Sequence, residues 1–130
     1  MELKAHRLAG NHEEGTAELW LGAMPAHVDQ WNGLQDNQFK TVLTLDTPKM
    51  FSIYKLALEL ADSSHFDGTI KGLELGKRKA DWVKAFKAAT AALKRGRVYI
   101  MSDYPTGKQG VAFIAAFEEW AKAQNKKVLP

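Results

Sequence analysis

Segments typical of β-strands alternate with segments typical of amphipathic helices along this chain of 130 residues. The clearest strand pattern is residues 39–45, which are rich in β-branched side chains and stop at Asp46-Thr-Pro48. The helical segments have apolar residues at spacings of three and four. Strands separated by helices usually run parallel, because the connecting helix returns the chain to the same end of the sheet. The pattern therefore predicts an α/β fold with a small, mostly parallel sheet flanked by helices.

Four strands and four helices account for most of the chain. The predicted strands are residues 18–22, 39–45, 69–75 and 97–101, and the predicted helices are residues 26–34, 51–61, 80–94 and 110–124. Residues 1–16 are interpreted as an N-terminal extension or an edge element. Because 130 residues suit one hydrophobic core, we expect residues 1–130 to form a single domain.

The residue composition excludes several kinds of site. The chain has no cysteine, which excludes disulfides, zinc–thiolate sites and a thiol nucleophile. His6 and the segment His12-Glu-Glu14 match no established metal-site spacing, so we assign them to a polar N-terminal loop and expect no metal or cofactor. No apolar run is long enough for a membrane span, and no leader pattern stands at the N-terminus. We therefore expect a cytoplasmic protein.

Positive charge is concentrated in one part of the chain. The formal net charge is +3, but residues 77–97 contain eight basic residues and one acidic residue, Asp81. This segment could face a polyanion, or it could be the solvated side of an amphipathic helix. The second explanation is the commoner one. Binding of nucleic acid has little support, because no aromatic side chains are interleaved with the basic ones.

The strand, loop and helix between Val98 and Ala121 form a candidate anion site. In such a junction the backbone N–H groups of the loop and the helix N-terminus point to the same place. Gly107, Lys108 and Gly110 strengthen the signal. The segment is not a nucleotide P-loop, because Ser102 stands where the first glycine is required and Gln109 stands where a magnesium-binding hydroxyl is required.

The same segment resembles the signature loop of the dual-specificity phosphatases, a branch of the protein tyrosine phosphatase family. That loop follows a hydrophobic strand and contains His-Cys, five residues, Arg, then Ser or Thr, and often Gly. The corresponding residues here are Met101, Ser102, Lys108, Gln109 and Gly110. Residues 19–25 and 40–45 resemble the first strands of the family. The resemblance covers residues 19–124 and implies a three-layer fold, truncated before the helices that usually follow.

The resemblance also implies that the family's reaction is lost. A serine hydroxyl stays protonated near neutral pH unless a positioned base removes its proton, and no histidine is assignable as a base for Ser102. Lys108 carries a point charge and lacks the planar fork with which arginine grips phosphate. Pro105 removes one N–H group from the loop, and Asp103 adds a negative charge beside any bound phosphate.

The general acid of the family also has no clear counterpart. It lies on the loop after the preceding strand, roughly thirty residues before the cysteine. Asp67, Glu74 and Asp81 lie 35, 28 and 21 residues before Ser102. Asp67 is retained as a weak candidate for the acid. If the strand ends near Leu75, the loop that should carry the acid contains Lys77, Arg78 and Lys79 instead.

Two functions remain open at this point. The first is a catalytically inactive phosphatase-like protein, a pseudophosphatase, that binds a phosphorylated or anionic ligand or a protein partner through residues 102–110. Its ligand-binding candidates are Asp103, Tyr104, Thr106, Gly107, Gln109 and Gly110. The alternative is a phosphoester hydrolase that uses Asp103 or Ser102, or a parent enzyme whose cysteine was exchanged for serine to trap substrate. Lys108 argues against such a trap, which would retain the arginine. The sequence indicates no particular oligomeric state.

Overall fold

A computed structural model describes residues 3–10, 17–46 and 51–128 of the chain. The strands are β1 (Ala5–Ala9), β2 (Leu19–Ala23), β3 (Phe39–Asp46), β4 (Thr69–Glu74) and β5 (Arg97–Ser102). The helices are α1 (Val28–Asp36), α2 (Phe51–Ser63), α3 (Val83–Ala92) and α4 (Lys108–Val128). Two short 3-10 segments, Lys79–Trp82 and Leu93–Arg95, flank α3. All eight predicted elements are present, with shifted boundaries.

The strands form one sheet in the order β1-β2-β5-β3-β4. Strand β1 is antiparallel to β2, and the pairs β2/β5, β5/β3 and β3/β4 are parallel. The predicted α/β class with a mostly parallel sheet is confirmed. Strand β5 lies at the centre of the sheet, so the loop that follows it begins between the carboxyl ends of β2 and β3.

Side chains from both faces of the sheet are buried under helices. Val98 and Ile100 of β5 pack in a cluster with the aromatic side chains of α3 and α4, in which Phe86 contacts Phe113 and Phe117. Tyr99 and Met101 point to the opposite face, where the cluster includes residues of α1 and α2. This alternation follows from the pleat of a strand. Helices therefore flank the sheet on both faces, as predicted.

The N-terminal segment differs from the prediction. Residues 5–9 form the edge strand β1. The assignment of His6 to a polar loop is wrong, because His6 lies in β1 with its Nε2 3.3 Å from Oε1 of Glu118. All five residues of β1 are half-buried, so neither face of the strand has to be apolar. The sequence of β1 therefore lacks the alternation of apolar and polar residues by which a strand is usually recognised. The segment His12-Glu-Glu14 lies outside the described residues.

Other differences concern element ends. Both ends of the predicted helix 80–94 are 3-10 segments, with α3 between them, and Gly96 follows at a φ of 132°, a conformation that favours glycine. The basic residues of this part, Lys77, Arg78, Lys79, Lys84, Lys87, Lys94 and Arg95, are all exposed. Among the described helices, none combines the length and apolar character that crossing a bilayer requires.

Candidate functional site

The loop between β5 and α4 is shorter than the sequence suggested. Strand β5 extends to Ser102 and α4 begins at Lys108, so residues 103–107 make the whole connection. The Tyr104–Pro105 peptide bond is cis. Because the connection has only five residues, the carboxyl end of β5 and the N-terminus of α4 lie close together, which is the geometry expected of an anion-binding junction.

Ser102 is buried and fully engaged by main-chain groups. Its side chain is at the end of β5, where the residue is 3% exposed. The hydroxyl group donates to the carbonyl oxygen of Gly22 at 3.1 Å and accepts from the backbone N–H of Tyr104 at 3.1 Å. Within the described part of the chain, the hydroxyl proton lies toward a carbonyl oxygen and no side chain is placed to remove it. Ser102 thereby connects the end of β5 to β2.

The histidines of the described residues lie elsewhere. His6 pairs with Glu118, and His65 places its Nε2 2.9 Å from Oδ1 of Asp36. His27 is exposed and immediately precedes α1. None of these three side chains is a partner of the Ser102 hydroxyl, as expected from the sequence.

Asp103 occupies the backbone donors at the start of α4. Its carboxylate accepts from the N–H of Gly110 at 2.6 Å through Oδ1, and from the N–H of Gln109 at 3.2 Å through Oδ2. Its main-chain carbonyl accepts from the N–H of Gly107 at 2.7 Å. The first N–H groups of a helix have no partner within the helix and attract negative charge. Asp103 supplies this negative charge from within the chain.

Gly107 and Gly110 make room for this arrangement. A Cβ atom on Gly107 would overlap the Asp103 carboxylate. A Cβ atom on Gly110 would lie 2.7 Å from Oγ of Ser102 and 3.0 Å from the backbone nitrogen of Tyr104. Both glycines therefore permit close packing against Ser102 and Asp103. The two glycines are visible in the sequence, but the sequence does not show that they make room for Asp103 and Ser102.

The remaining candidates of the loop face outward or into the core. Pro105, Thr106 and Lys108 are exposed, and the side chain of Tyr104 packs partly against the buried cluster under α3 and α4. Val111, in the first turns of α4, is 50% exposed. The outer surface of the loop thus combines apolar groups with one lysine.

Asp67 and Ser102 are at opposite ends of the sheet. Asp67 is exposed and precedes β4, whereas Ser102 ends β5, and both strands are parallel to β3. The structure therefore does not bring Asp67 to the loop.

Asp81 follows β4 and lies toward the carboxyl end of the sheet, but its Oδ2 accepts from the N–H of Arg78 at 3.3 Å. Asp81 thus stabilises its own 3-10 segment.

Within residues 3–10, 17–46 and 51–128, no three acidic or histidine side chains are grouped as metal ligands.

No protein-family model, curated protein or solved structure matches this chain. The likeness to the dual-specificity phosphatases consequently rests on the residues quoted above and remains a prediction.

Proposed function

We propose that this chain is a catalytically inactive phosphatase-like protein that binds a protein partner through the outer surface of the loop 102–110. The observation that carries the proposal is the pair of hydrogen bonds from Gln109 and Gly110 to the Asp103 carboxylate. This carboxylate takes the donors that a phosphate would need. The strand, loop and helix order supports the phosphatase-like part of the proposal.

Competition by Asp103 disfavours a phosphorylated ligand at these donors. The carboxylate is tethered beside them, so its effective concentration is high and no free anion has to be captured. A phosphate entering the loop would also meet the negative charge of Asp103, which opposes a second anion. Only Lys108 offers a positive charge within the loop, and it is exposed.

The outer surface of the loop suits a protein partner better. Val111 is 50% exposed, whereas most large hydrophobic side chains of the described residues are buried or half-buried. Exposed Pro105 and Lys108 precede it on the loop and at the start of α4. The centre of a protein interface is apolar, and a charged side chain at its rim, here Lys108, meets groups of opposite charge on the partner.

We expect no turnover of an aryl phosphate by the present chain, by Ser102→Cys, or by Ser102→Cys combined with Lys108→Arg. In the original chain Asp103 occupies the donors that should stabilise the transition state, and all three proteins retain Asp103. Release of the aryl alcohol, followed by absorbance over a range of pH, checks this. Turnover by the double variant that clearly exceeds that of Ser102→Cys alone would support the alternative, an active phosphoester hydrolase.

Partner binding is tested by a photo-crosslinking amino acid introduced at Val111 in cells that express the chain. We expect one discrete protein adduct that Lys108→Glu reduces severalfold, because the partner contacts both side chains. Leu56 is the matched control position, since it is a hydrophobic residue of similar exposure, 54%, on α2. It should give no such adduct.

The same experiment separates the two kinds of partner. Treating the cell extract with a broad phosphatase, or adding millimolar phosphate, should leave the adduct at Val111 unchanged. Loss of the adduct under either treatment would indicate a phosphorylated ligand instead. Equal adducts at Val111 and Leu56 would contradict a specific binding surface at the loop.

A further inference from the structure

A cavity of about 560 Å³ lies on the face of the sheet that α1 partly covers. This volume falls within the range of about 300–1,000 Å³ that is usual for small-molecule sites. Its apolar wall is formed by Leu3, Ala5, Trp20, Leu34, Phe39 and Tyr99. Glu18, Phe39 and Arg97 stand at the amino ends of β2, β3 and β5. The cavity is therefore separate from the loop 102–110, which lies at the carboxyl end.

Arg97 is held in a fixed orientation on the polar wall of this cavity. Its Nη2 donates to Oε1 of Glu18 at 3.1 Å, its Nη1 donates to the carbonyl oxygen of Asn37 at 3.0 Å, and its guanidinium lies 5.9 Å from the ring centre of Phe39. A guanidinium group has more N–H donors than these two acceptors use. Arg97 lines the cavity, and its side chain is 37% exposed.

Beside the polar wall, the buried Glu18 belongs to an ionic cluster that contains two arginines. The carboxylate of Glu18 is 2% exposed, accepts from Nε1 of Trp20 at 3.3 Å, and lies 3.9 Å from Nη1 of Arg7 in addition to its contact with Arg97. Two arginines thus surround one buried acid. The other acid on the wall, Asp29, is exposed and belongs to the first turn of α1, where the helix N-terminus favours negative charge.

Gly33 keeps the helical wall of the cavity open. It lies inside α1, and no atom is within 4 Å of the position that its Cβ atom would take. Packing therefore does not require glycine there, and alanine would favour the helix.

Tyr99 is fixed on the opposite wall, because its hydroxyl donates to the carbonyl oxygen of Ala23 at 2.5 Å. Burial raises the pKa of Tyr99, so this donor stays protonated.

We propose that the cavity binds a small carboxylate with an apolar or aromatic body. The carboxylate pairs with Arg97, because planar carboxylates match the remaining N–H groups of a guanidinium. The body of the ligand lies between Trp20 and the helical surface at Gly33. This site is independent of the function proposed for the loop.

The probes for this site are naphthoate, decanoate and the uncharged naphthylmethanol, added to the full chain and followed by amide chemical shifts. We expect naphthoate or decanoate to give saturable shifts at Gly33 and Arg97. The better carboxylate should bind at least about tenfold more tightly than naphthylmethanol, since hydrogen bonds to charged groups are the stronger ones. Equal affinity of all three probes, or no saturable shift with either carboxylate at millimolar concentration, overturns the proposal.

Two variants locate the binding. Gly33→Leu should fill the cavity and weaken binding of the better carboxylate more than tenfold while the chain stays folded, and Gly33→Ala is the matched control with binding near that of the original chain. Arg97→Gln should remove the preference for carboxylate over alcohol. Should Arg97→Gln fail to fold, Gly33→Leu still tests whether the carboxylate binds in this cavity. Undiminished carboxylate binding by Gly33→Leu overturns the proposal.

Discussion

Asp103→Ala is expected to lower the free energy of unfolding by about 1–3 kcal/mol, the usual range when buried donors lose a charged acceptor. The substitution leaves the N–H groups of Gln109 and Gly110 without the carboxylate that binds them. It also removes a negative charge from the N-terminus of α4, where such charge is favourable. Urea denaturation of the two proteins measures the difference.

Asp67→Ala is the matched control for this prediction. Asp67 is exposed and lies before β4, and its described hydrogen bond is made by its backbone N–H to Oε1 of Gln35, which the substitution retains. Its effect should stay within about 0.5 kcal/mol, as for most surface substitutions. Equal effects at both positions would mean that the Asp103 carboxylate has no special role in the loop.

Gly110→Ala is expected to destabilise the chain by about 1–3 kcal/mol, the usual range for an overpacked interior position. The added methyl group would lie 2.7 Å from Oγ of Ser102 and 3.0 Å from the backbone nitrogen of Tyr104. A backbone atom cannot move aside without shifting the loop, so the contact with Ser102 or the hydrogen bonds of Asp103 must change. Urea denaturation again gives the measurement.

Gly33→Ala is the control for replacing glycine by alanine in a helix where the added methyl group meets no other atom. Both glycines lie in helices, but a Cβ atom at Gly33 meets no atom within 4 Å. Alanine there should stabilise the chain by up to about 1 kcal/mol, because glycine is a poor helix former. A gain in stability at Gly110 as well would contradict the close packing described for the loop.

The order of elements could be predicted because their patterns are local. Residues 39–45 contain β-branched side chains between turn signals, and the observed strand β3 begins at the same residue, Phe39. The apolar stripe of α4 indicated a helix, although not its start at Lys108. That start depends on Asp103, whose carboxylate reaches N–H groups six and seven residues further along the chain. A pattern of apolar spacing contains no information about such a hydrogen bond.

The other features that escaped prediction depend on distant contacts. The pairing of Glu18 with Arg97 joins residues 79 positions apart and exists only because β2 and β5 are neighbours in the sheet. The open wall at Gly33 likewise becomes visible only when α1 is placed over the sheet. The charge of Asp103 alone predicts that it is unfavourable for phosphate, whereas its hydrogen bonds to Gln109 and Gly110 are visible only in the structure.

We propose that the Asp103 carboxylate takes the place of phosphate in the loop. This claim is tested most directly by titrating the original chain and Asp103→Ala with inorganic phosphate while following the amide signals of Gln109 and Gly110. We predict no saturable shift of either signal in the original chain at millimolar phosphate, and a saturable shift of both in Asp103→Ala, where the donors have lost their acceptor. Saturable shifts of both signals in the original chain would contradict the claim.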